Sequence, residues 1–322
     1  MRRAEGGLTA RVRNGAVKEW RPFQEADLSA NRILRQRNFA SAQEELRRSA
    51  PARGAQEQTP SYRLAFADEE FLLREELRPV RMQLELLKPE LLQQEAGIEA
   101  TLVIFGSARI PEPAQARAAL ETAQRSGDAD AERRARKQLE FSAYYEEARR
   151  LAEIVTRETQ ACGTPIYVVT GGGPGIMEAG NRGAYETGGK SIGLNIVLPH
   201  EQHPNAYITP ELCFRFHYFA MRKFHFLMRS VALVAFPGGY GTLDELFEAL
   251  CLIQTGKCRP RPILMFGREF WSRVIDFDYL VDSGMISPGD EKLFRFVDSA
   301  EEAWQVLEHE YDLKNNAQCS TP

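Results

Sequence analysis

From Thr101 onward the chain repeats one texture, a short apolar run followed by a stretch of helical character and then another apolar run. The runs are Thr101–Phe105, Ile166–Val169, Ser191–Ile196, Cys213–Phe216, Val231–Phe236 and Ile263–Phe266. Between and after them the spacing predicts one or two long charged helices over Ala114–Gln160, then helices over Ile176–Thr187, Tyr218–Arg229 and Leu243–Gln254, and near Phe270–Val281 and Ala300–Glu310. Strand, helix, strand in regular alternation implies an α/β fold, a doubly wound (Rossmann-like) parallel sheet with helices on both faces. Ahead of it, Phe71, Leu72, Leu77, Leu84, Leu87 and Leu91 recur at helical spacing among Glu, Arg and Gln, and Pro79 and Pro89 are each expected to break or kink the helix. The expected organisation is a flexible basic arm over 1–60, a helical extension over 61–97 without chemistry of its own, a Rossmann-like domain over 98–312, and a tail over 313–322.

With 322 residues, 43% of them hydrophobic, the chain has ample material for a core. Its net charge of −4 argues against a bulk polyanion binder, so nucleic acid is not an expected partner. The average hides an asymmetry: residues 1–60 hold 11 Arg and 1 Lys against 7 Asp/Glu, a local +5 that leaves −9 elsewhere. Such an arm reads as solvated chain or as a tether for anionic partners. No apolar run reaches membrane-spanning length and no signal-peptide core is evident, so a membrane is not expected. Cys162, Cys213, Cys251, Cys258 and Cys319 form no CxxC pair and read as reduced thiols of a cytoplasmic protein. Cys213 and Cys251 are expected to be small buried hydrophobes.

Three glycine loops follow strands: Gly106-Ser107-Ala108-Arg109, Thr170-Gly171-Gly172-Gly173-Pro174-Gly175, and Pro237-Gly238-Gly239-Tyr240-Gly241-Thr242. In an open parallel sheet such loops converge at the carboxyl ends of the strands, where ligands bind. Glycine lets backbone approach a phosphate, and the helix that follows offers free N–H groups and the positive end of its dipole. The dinucleotide fingerprint GxGxxG fails at Ile176 and at Glu178. The near-Walker string ending Gly189-Lys190-Ser191 lies between helix and strand, the wrong context for a P-loop, so Lys190 reads as a strand-entry residue.

The stretch Pro237-Gly-Gly-Tyr-Gly-Thr-Leu-Asp-Glu245 (PGGxGTxxE), with Arg222-Lys223 on the preceding helix, resembles the Lonely Guy family of phosphoribohydrolases. These enzymes release free base from nucleoside 5′-monophosphates, cytokinin precursors among them, and many carry the older label lysine decarboxylase. The resemblance covers about residues 98–312. It departs at Phe219, where the family often has Met, and in the second glycine loop, where Thr170 and Glu178 stand at family glycines. It implies hydrolysis of AMP or an N6-modified AMP to base and ribose 5-phosphate, without metal or cofactor, by a homo-oligomer. Relatives among molybdenum-cofactor carriers make a non-catalytic nucleotide- or cofactor-binding protein the alternative.

Breaking an N-glycosidic bond passes through an oxocarbenium-like state that gains from a carboxylate and a positioned water. Glu245 is the candidate carboxylate, and Arg222, a fixed planar cation, the candidate clamp for phosphate or departing base; the resemblance implies catalysis for both. The candidate phosphate and nucleotide ligands are Gly106, Ser107, Gly171, Gly172, Gly173, Gly175, Lys223, Gly238, Gly239, Gly241 and Thr242. Thr242-Leu-Asp-Glu245 also fits a capping box, in which Glu245 only accepts the Thr242 N–H. Phe214, Phe216, Tyr218, Phe219, Phe224 and Phe226 read as core or subunit packing, or as a stacking surface for a base. His200-Glu-Gln-His203 has ligand-like spacing but lacks a third ligand, and no motif marks a pyridoxal-phosphate lysine.

Overall fold

The sequence alternation becomes a seven-stranded, all-parallel sheet in a computed structural model that describes residues 41–48, 54–198 and 203–313. The remainder of the arm, positions 199–202 and the tail beyond 313 lie outside the described residues. The chain divides into two units, Met1–Arg74 and Glu75–Pro322. The division falls inside the expected 61–97 extension. In the first unit the described elements are a helix over Ala42–Arg48, two helical turns, and a short helix over Glu69–Leu72 whose Phe71 N–H is capped by Asp68.

The second unit opens with a helical turn over Glu75–Leu77 that leads into α1 (Arg78–Glu95). Pro79 sits in its first turn, where the missing N–H costs nothing, and the helix continues through Pro89 instead of breaking there. A proline removes the bond to the carbonyl four residues earlier, here that of Glu85. The Glu85 carbonyl accepts a bond from His225 Nε2 at 3.0 Å instead. Burial holds the His225 pKa below its ordinary value, consistent with a neutral ring that donates from Nε2.

The strands are β1 (Ala100–Phe105), β2 (Ile166–Thr170), β3 (Ser191–Ile196), β4 (Cys213–Phe216), β5 (Ser230–Ala235), β6 (Ile263–Phe266) and β7 (Arg295–Val297). Their order is β4-β3-β2-β1-β5-β6-β7. The last is a three-residue edge strand that the sequence pattern did not mark. The predicted 114–160 region forms three helices, α2 (Pro113–Ser126), α3 (Ala129–Phe141) and α4 (Ala143–Ala161). Gly127 at φ +70° ends the first, and the Asp128 carboxylate caps the next by accepting from Asp130 and Ala131 N–H. Then come α5 (Ile176–Glu186), α6 (Phe219–Met228), α7 (Tyr240–Gln254), α8 (Arg268–Val274), α9 (Phe277–Asp282) and α10 (Ala300–Glu310).

Successive strand residues face opposite sides, so each strand feeds two cores. Leu102, Ile104, Val168 and Val234 pack with α4, α5 and α10 through Leu151, Val155, Ala179 and Leu307. Val103, Phe105, Val169 and Leu233 pack with α6, α7 and α8 through Phe226, Leu246 and Trp271. No helix of the described residues is long and apolar enough to cross a membrane.

Candidate active site

Strand β1 lies between β2 and β5, so the chain leaves β1 toward one side of the sheet and leaves β5 toward the other. Loops that depart in opposite directions open a crevice at the carboxyl ends of these two strands. Here the loops are also bonded to each other. Ser107 N–H donates to the Pro237 carbonyl at 3.0 Å, and the Ser107 carbonyl accepts from Ile176 N–H, at the start of α5, at 3.2 Å. The β1 loop is thus the keystone between the other two glycine loops.

The resulting cleft has a volume of about 800 Å³ and is lined by all three loops. Of the expected residues, Gly106, Ser107, Gly171, Gly173, Arg222, Gly239, Gly241, Thr242 and Glu245 line it. Gly172, Gly175 and Gly238 stand behind the lining. Gly172 takes φ +75°, which lets the loop turn against Asn195. Gly171 is required for a different reason: a Cβ there would lie 2.5 Å from Arg222 Nη2, so only glycine leaves the guanidinium its place.

Helix α7 begins at Tyr240, with Gly239 as its N-cap and no side chain capping it. Leu243 supplies the first intrahelical N–H, to the Gly239 carbonyl at 3.0 Å. The N–H groups of Tyr240, Gly241 and Thr242 precede it, at a helix start that lines the cleft and carries the positive end of the dipole. This start position also disposes of the capping box. Thr242 already lies within the first turn, so Glu245 is a second-turn residue and not the cap partner of Thr242.

Arg222 is 9% exposed. Its Nε donates to the Leu194 carbonyl at 2.8 Å, its guanidinium stands 5.2 Å over the Phe226 ring, and Nη1 is 3.9 Å from Glu245 Oε1. Burial lowers the Arg222 pKa from its ordinary value, and Glu245 opposes that shift. Burial pushes the Glu245 carboxyl up to about 7, while the nearby Arg222 charge pulls it down. A carboxyl poised at neutral pH beside a fixed cation, in a cleft, is the arrangement that acid–base chemistry needs.

Lys223 is one residue beyond Arg222 and does not line the cleft. A helix turns about 100° per residue, and its ammonium instead meets Asp244 at 2.8 Å and Glu248 at 3.4 Å. Phe214, Phe216 and Phe226 are core, whereas Phe219 and Phe224 are about half exposed and away from the cleft lining, as is Tyr218. Cys213 is half-buried, and Cys251 is exposed, contrary to expectation, because it lies on the outer side of α7. His200 lies outside the described residues, and no cluster of metal-ligating side chains occurs among those described.

The cleft also contains residues that the sequence reading did not single out: Arg109, Met177, Asn195 and Tyr240. Arg109 lies two residues past Ser107 in the first glycine loop. Its side chain is exposed and makes no ion pair among the described residues, with only its backbone N–H bonded, to Ser107 Oγ at 3.1 Å. Asn195 had no local signal; it reaches the cleft because β3 ends beside the β2 loop.

A family model described as "Possible lysine decarboxylase" matches residues 177–307. The chain is similar to a cytokinin riboside 5′-monophosphate phosphoribohydrolase of Arabidopsis thaliana, with 29% identity over 48% of this chain and 66% of the relative. A second Arabidopsis enzyme of that name is 31% identical over 47% of this chain and 71% of its own length. A probable one from Oryza sativa subsp. japonica is 30% identical over 44% and 68%. Among solved structures, the molybdenum cofactor carrier protein of Chlamydomonas reinhardtii superposes with a TM-score of 0.40 at 17% identity, covering 66% of this chain and 97% of that one. The molybdenum cofactor binding protein of Rippkaea orientalis gives 0.36 at 17%, covering 52% and 86%.

Proposed function

Because the chain belongs to the Lonely Guy family of phosphoribohydrolases, we propose that it hydrolyses the N-glycosidic bond of nucleoside 5′-monophosphates, AMP or an N6-modified AMP, to free base and ribose 5-phosphate. The observation that carries this reading is Glu245 held 3.9 Å from Arg222 inside the glycine-loop cleft. A carrier would need the loops to hold a phosphate but would have no use for a buried carboxylate poised near neutrality.

In this reading the 5′-phosphate rests on the free N–H groups at the start of α7, with Arg109 beside it. Arg109 is the one charged lining residue without an ion partner among the described residues, since Arg222 and Glu245 face each other. The ribose then reaches toward Glu245, one helical turn further along. Ionised Glu245 takes a proton from water as the water oxygen bonds to C1′. The C1′–N bond breaks with its electron pair going to the base, and the base takes its proton from solvent. Arg222 stays charged throughout and steadies the negative charge that departs with the base.

Two measurements test this reading. Arg109→Ala is expected to raise KM for AMP about 10- to 100-fold with kcat nearly unchanged, the loss of one charge-assisted phosphate contact. An unchanged KM would remove Arg109 from the phosphate site. The pH profile of kcat/KM for base release should rise with pH and level off above about 7, because Glu245 must be ionised to act. The second ionisation of the substrate phosphate contributes a separate limb near about 6. Activity that falls as pH rises through 7 would assign Glu245 the opposite protonation state and contradict the mechanism.

A further inference from the structure

Helix α1 precedes the region that resembles the family, and none of its residues lines the cleft. It nevertheless makes directional contacts with α6, the helix that carries Arg222, and with the residues that flank it. Both carboxylate oxygens of Glu85 accept backbone N–H groups at the α6 start, from His217 at 2.8 Å and from Tyr218 at 3.1 Å. The Glu85 carbonyl, released by Pro89, accepts from His225 in the last turn of α6. Just past that helix, Arg229 Nη2 donates to Glu90 Oε1 at 2.7 Å, its Nη1 meets the other Glu90 oxygen, and its Nε donates to the Ile98 carbonyl at 2.9 Å. One helix therefore holds α6 just ahead of its first residue, in its last turn and just past its end.

From this geometry we infer that α1 is a positioning element of the active site: through Glu85 and Glu90 it fixes the height and rotation of α6, and so the placement of Arg222 against Glu245. The inference rests on the hydrolase reading given above. The contacts are directional. The Glu85 carboxylate accepts the N–H of Tyr218, the N-cap of α6, and that of His217 just before it, and adds negative charge at the positive end of the dipole. The Arg229–Glu90 pair is a two-pronged fork that tolerates little sliding. Among the described residues the Arg222 side chain makes one hydrogen bond, to Leu194, and otherwise stacks on Phe226 of its own helix, so its position depends on the helix that bears it. An α6 that frays at its start or slides along its axis carries the guanidinium with it, and a displacement of about 1 Å at a reacting group can cost up to about 100-fold in rate.

The test compares Glu85→Ala, Glu85→Gln and Glu90→Ala with Leu307→Ala, a core deletion in α10 on the other face of the sheet. Melting temperature, kcat, KM for AMP and the titration of Glu245 are read for each. That titration is followed by carboxyl carbon NMR on glutamate-labelled protein, with the signal assigned by its loss in Glu245→Gln. The charges that bear on Glu245 are Arg222 and Lys223 from α6, and Asp244 and Glu248 from its own helix. Moving Arg222 away removes the largest of the influences that hold the Glu245 carboxyl down.

For Glu85→Ala and Glu90→Ala, kcat is expected to fall about 10- to 100-fold with KM within about threefold, and Glu245 to titrate at higher pH than in the wild type. Glu85→Gln keeps one acceptor oxygen and should recover part of kcat. Leu307→Ala should lose melting temperature while keeping kcat at ambient temperature and the Glu245 titration. If the α1 variants lose melting temperature as Leu307→Ala does but keep kcat and the Glu245 titration, α1 is only a structural brace and the inference is overturned. If the wild type cleaves no nucleotide, the hydrolase reading fails, and the Glu245 titration alone still decides whether α1 places Arg222.

Discussion

Glu245→Gln is expected to lower kcat for AMP cleavage about 10²- to 10⁴-fold while AMP still binds, because the amide fills the same space but accepts no proton from water. The same substitution has a predictable effect on stability, of a sign that separates a functional carboxylate from a structural one. Burial raises the Glu245 pKa in the folded protein from 4.5 to about 7, so the native state holds a proton that the unfolded chain releases. Stability contributed by this group is therefore fully present below about pH 4.5 and is lost as pH rises through 7. Relative to wild type, Glu245→Gln should be more stabilising at pH 8 than at pH 5, by at most about 3 kcal/mol, the free-energy equivalent of that shift. Urea denaturation of both proteins at the two pH values measures it. A difference of the opposite sign would mean that Glu245 is held as a stabilised carboxylate.

Arg222→Ala is the second large effect, and it combines two losses. The guanidinium fills a buried space, bonds the Leu194 carbonyl and packs over Phe226, so its removal leaves a cavity and a carbonyl without that donor. Removing one partner of a buried ion pair costs about 3–5 kcal/mol when the other partner stays charged. Glu245 can relieve part of that by taking up a proton, so the lower end, about 3 kcal/mol at pH 8 and less at pH 5, is the expectation. Activity should fall about 10²- to 10³-fold, as for the loss of a preorganised charge at a reacting centre, and the acid limb of whatever activity remains should move above pH 7. Arg222→Lys should restore stability better than rate, because an ammonium cannot present the planar fork that meets Leu194 and Glu245 together. An Arg222→Ala protein with wild-type kcat would exclude this side chain from the chemistry.

Much of the fold could be read in the sequence because most strands are short apolar runs separated from one another by longer stretches of helical spacing, and run length together with that alternation distinguishes the two. The glycine loops after β1, β2 and β5 were legible for the same reason, since strand order brings to one crevice what the chain keeps far apart. What was not legible depended on partners distant in sequence. Pro89 reads locally as a helix breaker, and nothing near it announces that His225 will bond the carbonyl it releases. Thr242 and Glu245 match a capping template, yet the helix starts at Tyr240 because Gly239 takes an extended backbone there. Lys223 shares a motif with Arg222 but faces Asp244 and Glu248, a consequence of helical rotation that a residue-by-residue match does not carry. Arg109 needed the reverse correction: it belongs to one of the three glycine loops, but only the pairing of the other lining charges shows that its own has no ion partner among the described residues.

The most direct measurement is chromatographic. Purified wild-type protein is incubated with AMP, GMP, CMP, UMP and isopentenyl-AMP at pH 8, beside Glu245→Gln and Arg222→Ala, and free base and ribose 5-phosphate are quantified. The hydrolase account predicts equimolar base and ribose 5-phosphate from AMP or isopentenyl-AMP with wild type, and near-complete loss in both variants. No released base from any nucleotide, with AMP still raising the melting temperature of the wild type, would contradict it and leave the cleft as the binding site of a carrier.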